Sequence, residues 1–270
     1  MGIFQKGKAY LERRFLNGSM HIELRKLLWV SFTLTSVVAT LLMGISFYYR
    51  FAAQSAQTTW EGNDTRMEDA AEQVTITKGR YKSVTFNTIM VWAGTLIVND
   101  AEMESNCYCI YAGGSSSNVT VNRGKYTHTN LKDRSAFFCE GGSSVTLNDV
   151  TATSVKTVVI NNASTVTVNG GDFKTTGSNS CFVNSSANLT INKGATTEGN
   201  FESEGASCIN NNWGRVEIND GTITSDADCT IKNRGGLRMN GGTVATSNAE
   251  GTVICLLYTS PSPRDSTSSR

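Results

Sequence analysis

Proline is nearly missing from this sequence: two occur in 270 residues, Pro261 and Pro263, both among the last ten. Every earlier residue therefore keeps its backbone N–H, and nothing in the chemistry of the chain interrupts a long hydrogen-bonded ladder. Histidine is as scarce, with His21 and His128 alone. A Ser-His-Asp site would have to rest on His128, which is a poor foundation for one. Charge of one sign is lacking too. Lysine plus arginine number 24 against 23 aspartates and glutamates, a net charge of +1, and charged residues make up only 17%. Nucleic acid is excluded as the main partner on that balance. What is plentiful is Gly, Ser, Thr and Asn, a composition that suits short strands joined by tight turns.

One long hydrophobic run exists, "LLWVSFTLTSVVATLLMGISFYY" from Leu27 to Tyr49. Its 23 uncharged residues are enough to span a bilayer, and Trp29, Tyr48 and Tyr49 lie near its ends, where amphipathic rings favour the interface. Lys6, Lys8, Arg13, Arg14, Arg25 and Lys26 precede it, and Arg50 follows closely. The charge bias predicts a cytoplasmic segment 1–26, a signal anchor 27–49 and an extracytoplasmic remainder, with 50–73 as a juxtamembrane linker. A cleaved leader ending near "AQS" at 53–55 is the rival, although the apolar run exceeds an ordinary signal core. Met20 is an alternative start.

From residue 74 a unit recurs: "VTITKG", "LIVNDA", "VTVNRG", "VTLNDV", "VTVNGG", "LTINKG", "VEINDG", "LRMNGG". Its asparagine falls at Asn99, Asn122, Asn148, Asn169, Asn192, Asn219 and Asn240, with Thr77 in its place in the first copy. Positions one and three before the asparagine are apolar (Val119 and Val121, Val166 and Val168), and threonine often stands between them. That is a strand of period two with one buried face. Glycine often follows two residues later, then a second strand with Tyr81, Met103, Tyr126, Phe173, Ile223 and Val244 turned inward. A third strand ("FFCE", "VVIN", "CFVN", "CINN", "CTIK") precedes each asparagine by about ten residues. Three strands and three turns per roughly 23 residues predict a right-handed parallel β-helix over 74–254, its coils about 4.8 Å apart.

The repeating asparagines are then expected to stack as a ladder along one turn, with a second, looser ladder at Asn162, Asn184, Asn211 or Asn212, and Asn233. This reading displaces glycosylation as the reason for "NAS", "NLT" and "NSS". Eleven residues before the asparagine the series runs Phe137, Val158, Cys181, Cys208, Cys229, so these cysteines read as buried core thiols rather than metal ligands or disulfides. Charges one residue after the asparagine alternate in sign on adjacent coils, as at Asp100, Arg123 and Asp149, and are expected to pair on the surface. No catalytic, metal-binding or cofactor-binding constellation is assigned. One patch invites a function. Trp213 and Arg234 share a count of six before the asparagine, and Glu217 and Arg238 a count of two. They are read either as a cation–π contact beside a salt bridge or as an aromatic platform for a sugar ring.

"VTVNGGDF", "VEINDGTI" and "LRMNGGTV", alternating with "CINNNWG" and "IKNRGG", resemble the repeats of the pectate-lyase-like right-handed β-helix proteins of bacterial cell surfaces. The resemblance implies a surface adhesin or a binder of polysaccharide or host glycan, held to the membrane by the N-terminal helix. It equally admits a fragment of a secreted polysaccharide lyase or glycoside hydrolase. Lyases of that superfamily use clustered calcium-binding aspartates with a catalytic Arg or Lys; here Asp226, Asp228, Lys232 and Arg234 come nearest, so catalysis is not expected in this stretch. Finally, "CLLYTSPSPRD" looks like the in-frame translation of a transposase-type sequencing adapter. That likeness implies that 255–270 are not native and that the native coils continue.

Overall fold

A computed structural model of the chain describes residues 59–61, 65–131, 134–192 and 200–257. The expected basic segment and the anchor at 27–49 lie outside the described residues. Among the described residues all regular structure is β-strand, in three parallel sheets of eight, nine and nine strands. Each strand pairs with the strands three places before and after it, so the chain visits the sheets in rotation and returns to each once per coil. The architecture is a parallel β-solenoid of about eight coils.

Sheet I holds the strands that carry the repeating asparagine, from Gln73–Thr77 to Gly236–Met239. In-register pairing stacks like on like: Val119 on Val145 and Val145 on Val166, Val121 on Leu147 and Leu147 on Val168. All of these are buried, as the period-two pattern requires. Sheet II follows each tight turn and points Met103, Tyr126, Ala152, Phe173 and Ile223 into the same core. Sheet III closes the coil with Ile110, Phe137, Val159, Phe182, Ile209 and Ile231. Large rings meet across the interior, Tyr126 with Phe137 at 5.0 Å and Phe173 with Phe182 at 5.3 Å between centroids. Full burial of one such aliphatic or aromatic side chain stabilises by roughly 1.5–3 kcal/mol.

The turn from sheet I to sheet II explains the asparagine. Six side-chain hydrogen bonds link Asn99, Asn122, Asn148, Asn169, Asn192, Asn219 and Asn240 into one ladder, each amide donating to the carbonyl oxygen of the coil before it at 2.5–3.0 Å. The next residue adopts a left-handed conformation at Lys78, Asp100, Arg123 and Asp149. Glycine then completes several turns. At Gly124 φ is +101°, and a Cβ would lie 2.2 Å from the carbonyl oxygen of Ala101 in the coil below.

Three expectations need correction, two of them for one physical reason. The connection from sheet III to sheet I changes length along the solenoid: Cys139 lies nine residues before Asn148, Asn161 eight before Asn169, and Asn233 seven before Asn240. Counting back from the asparagine therefore slips by one. Asn161, not Asn162, pairs with Asn184 and belongs to the second ladder; Asn162 is exposed. Likewise Phe182 pairs with Ile209 and Ile209 with Ile231, which sets Cys181 beside Cys208 and Cys208 beside Thr230. Cys229 falls outside that column, and it is bonded to Cys255 rather than free. Third, the strands Thr59–Glu61 and Thr65–Met67 lie inside the stretch expected to be linker. They pair with Arg80–Ser83 and Ile89–Val91, and Met67 is fully buried. At the other end, the strand Thr252–Leu256 carries Cys255 and Leu256, the first two residues of the adapter-like tail, onto Cys229–Asn233, so the disulfide partner of Cys229 belongs to that tail.

Candidate ligand-binding face

Sheet III presents an unusual outer surface. In a solenoid the outward positions of a strand meet water and are ordinarily polar. Here one outward column runs Met90, Tyr111, Phe138, Ile160, Val183 before turning polar at Asn210 and Lys232. Beside it Gly113, Glu140, Asn162 and Ser185 form a second column. Trp92 extends that column past its strand, 40% exposed. Its ring lies over Gly113, where a Cβ would come within 2.9 Å of the indole carbons. Glycine there allows the indole to lie against the sheet.

Four rings pack together on this face. Trp92 and Tyr111 have centroids 4.9 Å apart, Tyr111 and Phe138 stack at 5.4 Å with planes 10° apart, and Tyr108 joins Phe138 at 4.9 Å. The polar tips are fixed. Tyr111 Oη donates to Glu140 Oε1, and Arg134 Nη1 donates to Tyr108 Oη at 2.8 Å while its guanidinium lies 5.2 Å from the Tyr108 ring centre. Burial, with Glu140 adding to it, pushes the Tyr111 phenol above its ordinary range. Burial likewise raises Tyr108, against the opposing pull of Arg134. Both phenols stay protonated at neutral pH and serve as hydrogen-bonding tips, not as bases. Tyr108 and Tyr111 are buried and Phe138 is half-buried, so of the four rings Trp92 alone is exposed, with the half-buried Glu140 and the exposed Arg134 on the rim.

At the far end of the solenoid the patch expected from the sequence is only partly assembled. Because Asn211 pairs with Asn233, Trp213 is level with Gly235 and Arg234 with Asn212, so Arg234 does not share the position of Trp213. Glu217 and Arg238 are strand partners, yet Glu217 bonds Arg215 at 3.3 Å and Arg238 donates to Asn240 at 2.9 Å. Asn240 in turn donates to Glu217 at 3.1 Å, linking the two indirectly. Trp213 itself is notable. It is 70% exposed and has φ 61°, at a turn where Gly114, Gly141, Ala163 and Ser186 take the same left-handed conformation in other coils. A bulky residue in that conformation is strained.

Other polar groups are committed to structure. A shallow depression of ≈ 330 Å³ on sheet II is lined by Arg80, Lys82, Glu102, Glu104 and Lys125. Arg80 meets Glu102 at 2.6 Å and Lys82 meets Glu104 at 3.0 Å. Asp100 is held below the usual carboxylate range by its hydrogen bond to Arg123, whose guanidinium it meets at 2.8 and 3.0 Å. His128 is buried, with Nδ1 2.9 Å from Ser154 Oγ, and burial lowers its pKa to about 4 against the opposing pull of the Asn106 backbone. Asp226 accepts the Gly205 N–H at 2.6 Å and Asp228 the Asn248 amide at 3.2 Å, both acting within loops. Among the described residues, no three His, Cys, Asp or Glu side chains come together as metal ligands.

No protein-family model matches the chain, and neither curated proteins nor solved structures yield a match. The sheet III face was not anticipated from the sequence. Its signal was there, in "IMVW", "IYAG" and "FFCE", where an outward position holds Met, Tyr or Phe between two inward ones.

Proposed function

We propose that this chain is an exported, membrane-anchored, right-handed β-solenoid that binds glycan on the outer face of sheet III. The observation that carries the reading is the Trp92–Tyr111–Phe138–Tyr108 cluster rimmed by Arg134 and Glu140. Pyranose rings offer an apolar C–H face and an equatorial edge of hydroxyls. The exposed Trp92 plane, backed by the buried rings of Tyr111 and Tyr108, complements the first, and a carboxylate and a guanidinium the second. The anchor at 27–49 would hold this face outside the cell, which suits adhesion.

The solenoid is assigned binding without catalysis. Trp213 serves as a second aromatic contact, since a strained, exposed indole persists only where the surroundings enforce it. A glycan array tests the proposal. Wild-type protein should be retained on a subset of glycans, Trp92→Ala should lose that retention with its far-UV spectrum and melting temperature intact, and Trp213→Ala should weaken it. Equal retention of wild type and Trp92→Ala, or no glycan bound by either, would remove the reading.

A further inference from the structure

Four Asn-x-Ser/Thr triplets lie wholly within the described residues, headed by Asn118, Asn162, Asn184 and Asn188. The structure divides them. Asn184 is fully buried in the second ladder; its amide donates to Asn211 Oδ1 at 2.9 Å, to the Ala187 carbonyl at 2.9 Å and to the Arg215 carbonyl at 3.3 Å, and its oxygen accepts from Asn161 at 2.9 Å. Asn118, Asn162 and Asn188 are exposed and stand outside both ladders, so the expectation that the ladders displace glycosylation is corrected at "NAS" and "NLT" and holds at "NSS", where Asn184 is a ladder member. Among the described residues their side-chain amides make no hydrogen bond. In "NVT" and "NLT" the period of the strand turns Asn118 and Thr120, or Asn188 and Thr190, to the same outward side of sheet I. The asparagine and the hydroxyl two residues on, the two recognised members of an N-glycosylation acceptor, therefore share one accessible face.

We infer that the exported chain is an N-glycoprotein carrying glycans at Asn118, Asn162 and Asn188 and none at Asn184; this rests on the reading that the solenoid is exported. The donor is a lipid-linked oligosaccharide pyrophosphate and the catalyst a membrane oligosaccharyltransferase. The asparagine Nδ2 attacks the anomeric carbon, the bond from that carbon to the pyrophosphate oxygen breaks, the carbon–nitrogen bond forms, the amide gives up one proton, and the lipid pyrophosphate leaves. No electrons are exchanged. A glycan on Asn184 would remove a donor from a buried ladder and place a sugar inside the turn, so a chain modified there cannot close its coil. Asn118 and Asn188 stand in one outward column with Ser144 and Thr165 between them, and their glycans cover sheet I. Asn162 pairs with Glu140, so its glycan borders the aromatic face and leaves sheet II bare.

The test is site mapping on secreted, folded protein. The full chain is expressed in insect cells behind a borrowed cleavable leader, digested with peptide N-glycosidase F in heavy-oxygen water, and sequenced by mass spectrometry. Heavy-oxygen aspartate is expected at positions 118, 162 and 188 and not at 184. Asn118→Gln, Asn162→Gln and Asn188→Gln should each remove one glycan with the melting temperature unchanged, whereas Asn184→Gln should lower the melting temperature and the yield of secreted protein without removing a glycan. Folded secreted protein unmodified at the three exposed sites, or modified at Asn184, overturns the inference. A parallel expression on the chain's own N-terminus separates the two readings: secretion only behind the borrowed leader counts against export by residues 27–49 and leaves the acceptors standing.

Discussion

Asn169 donates its side-chain amide backwards to Asn148 at 2.8 Å, and Asn184, fifteen residues later in the same coil, donates forwards to Asn211 at 2.9 Å. The two ladders therefore run in opposite directions along the solenoid, and their amide dipoles oppose each other. Each bond polarises the next within its own ladder. Burial separates their weight: the sheet I asparagines are half-exposed to water, while Asn161, Asn184, Asn211 and Asn233 are buried and also donate to turn carbonyls.

Asn184→Ala should therefore destabilise by about 3 kcal/mol, because it strands an amide above, a carbonyl oxygen below and two backbone carbonyls. Asn169→Ala should cost about 1 kcal/mol, and Asn162→Ala less than about 0.5 kcal/mol. Urea unfolding with a constant m-value checks the order. Equal losses at positions 162 and 184 would refute the register.

The thiols at Cys109, Cys139, Cys181 and Cys208 are buried. Burial raises Cys109 and Cys139 to about 12, and burial, with Cys208 beside it, raises Cys181 well above the ordinary thiol value. Thiolate is the reactive species, so iodoacetamide should modify these four only after denaturation. Reductant applied to denatured protein should add two further alkylated sulfurs, Cys229 and Cys255. Rapid labelling of native Cys181 would show the core to be open.

His128 should make stability depend on pH. It stands between Ser105 and Ser154 in sheet II, and burial lowers its pKa from 6.5 to about 4. Between those values the unfolded chain binds a proton that the folded chain does not, so stability rises with pH across the window and falls on acidification from 6.5 towards 4. The loss is of the order of 3 kcal/mol. His128→Ser should flatten the profile over that range. An unchanged slope in the variant would place the acid sensitivity elsewhere.

Trp213→Gly should raise the melting temperature, since φ 61° suits glycine and strains an indole. The expected gain is about 1 kcal/mol. A loss instead would mean that the exposed ring packs on its own turn more strongly than the backbone is strained.

The sequence by itself determined the solenoid. An apolar pair at one and three residues before a recurring asparagine, a glycine after it and an interval near 23 residues leave few arrangements other than stacked three-strand coils. The first ladder, the inward residues of sheets I and II, and the paired charges at Asp100 and Arg123 follow from that pattern, because period two and in-register stacking are local rules. Tertiary structure decided what depends on counting through a turn of variable length. The shift from nine to seven residues between sheets III and I put Asn161 in the ladder instead of Asn162, moved Arg234 from Trp213 to Asn212, and took Cys229 out of the thiol column. It also decided the aromatic face. Tyr108, Tyr111, Phe138 and Trp92 lie up to 46 residues apart in sequence. Only the stacking of coils about 4.8 Å apart brings their rings into contact on one surface.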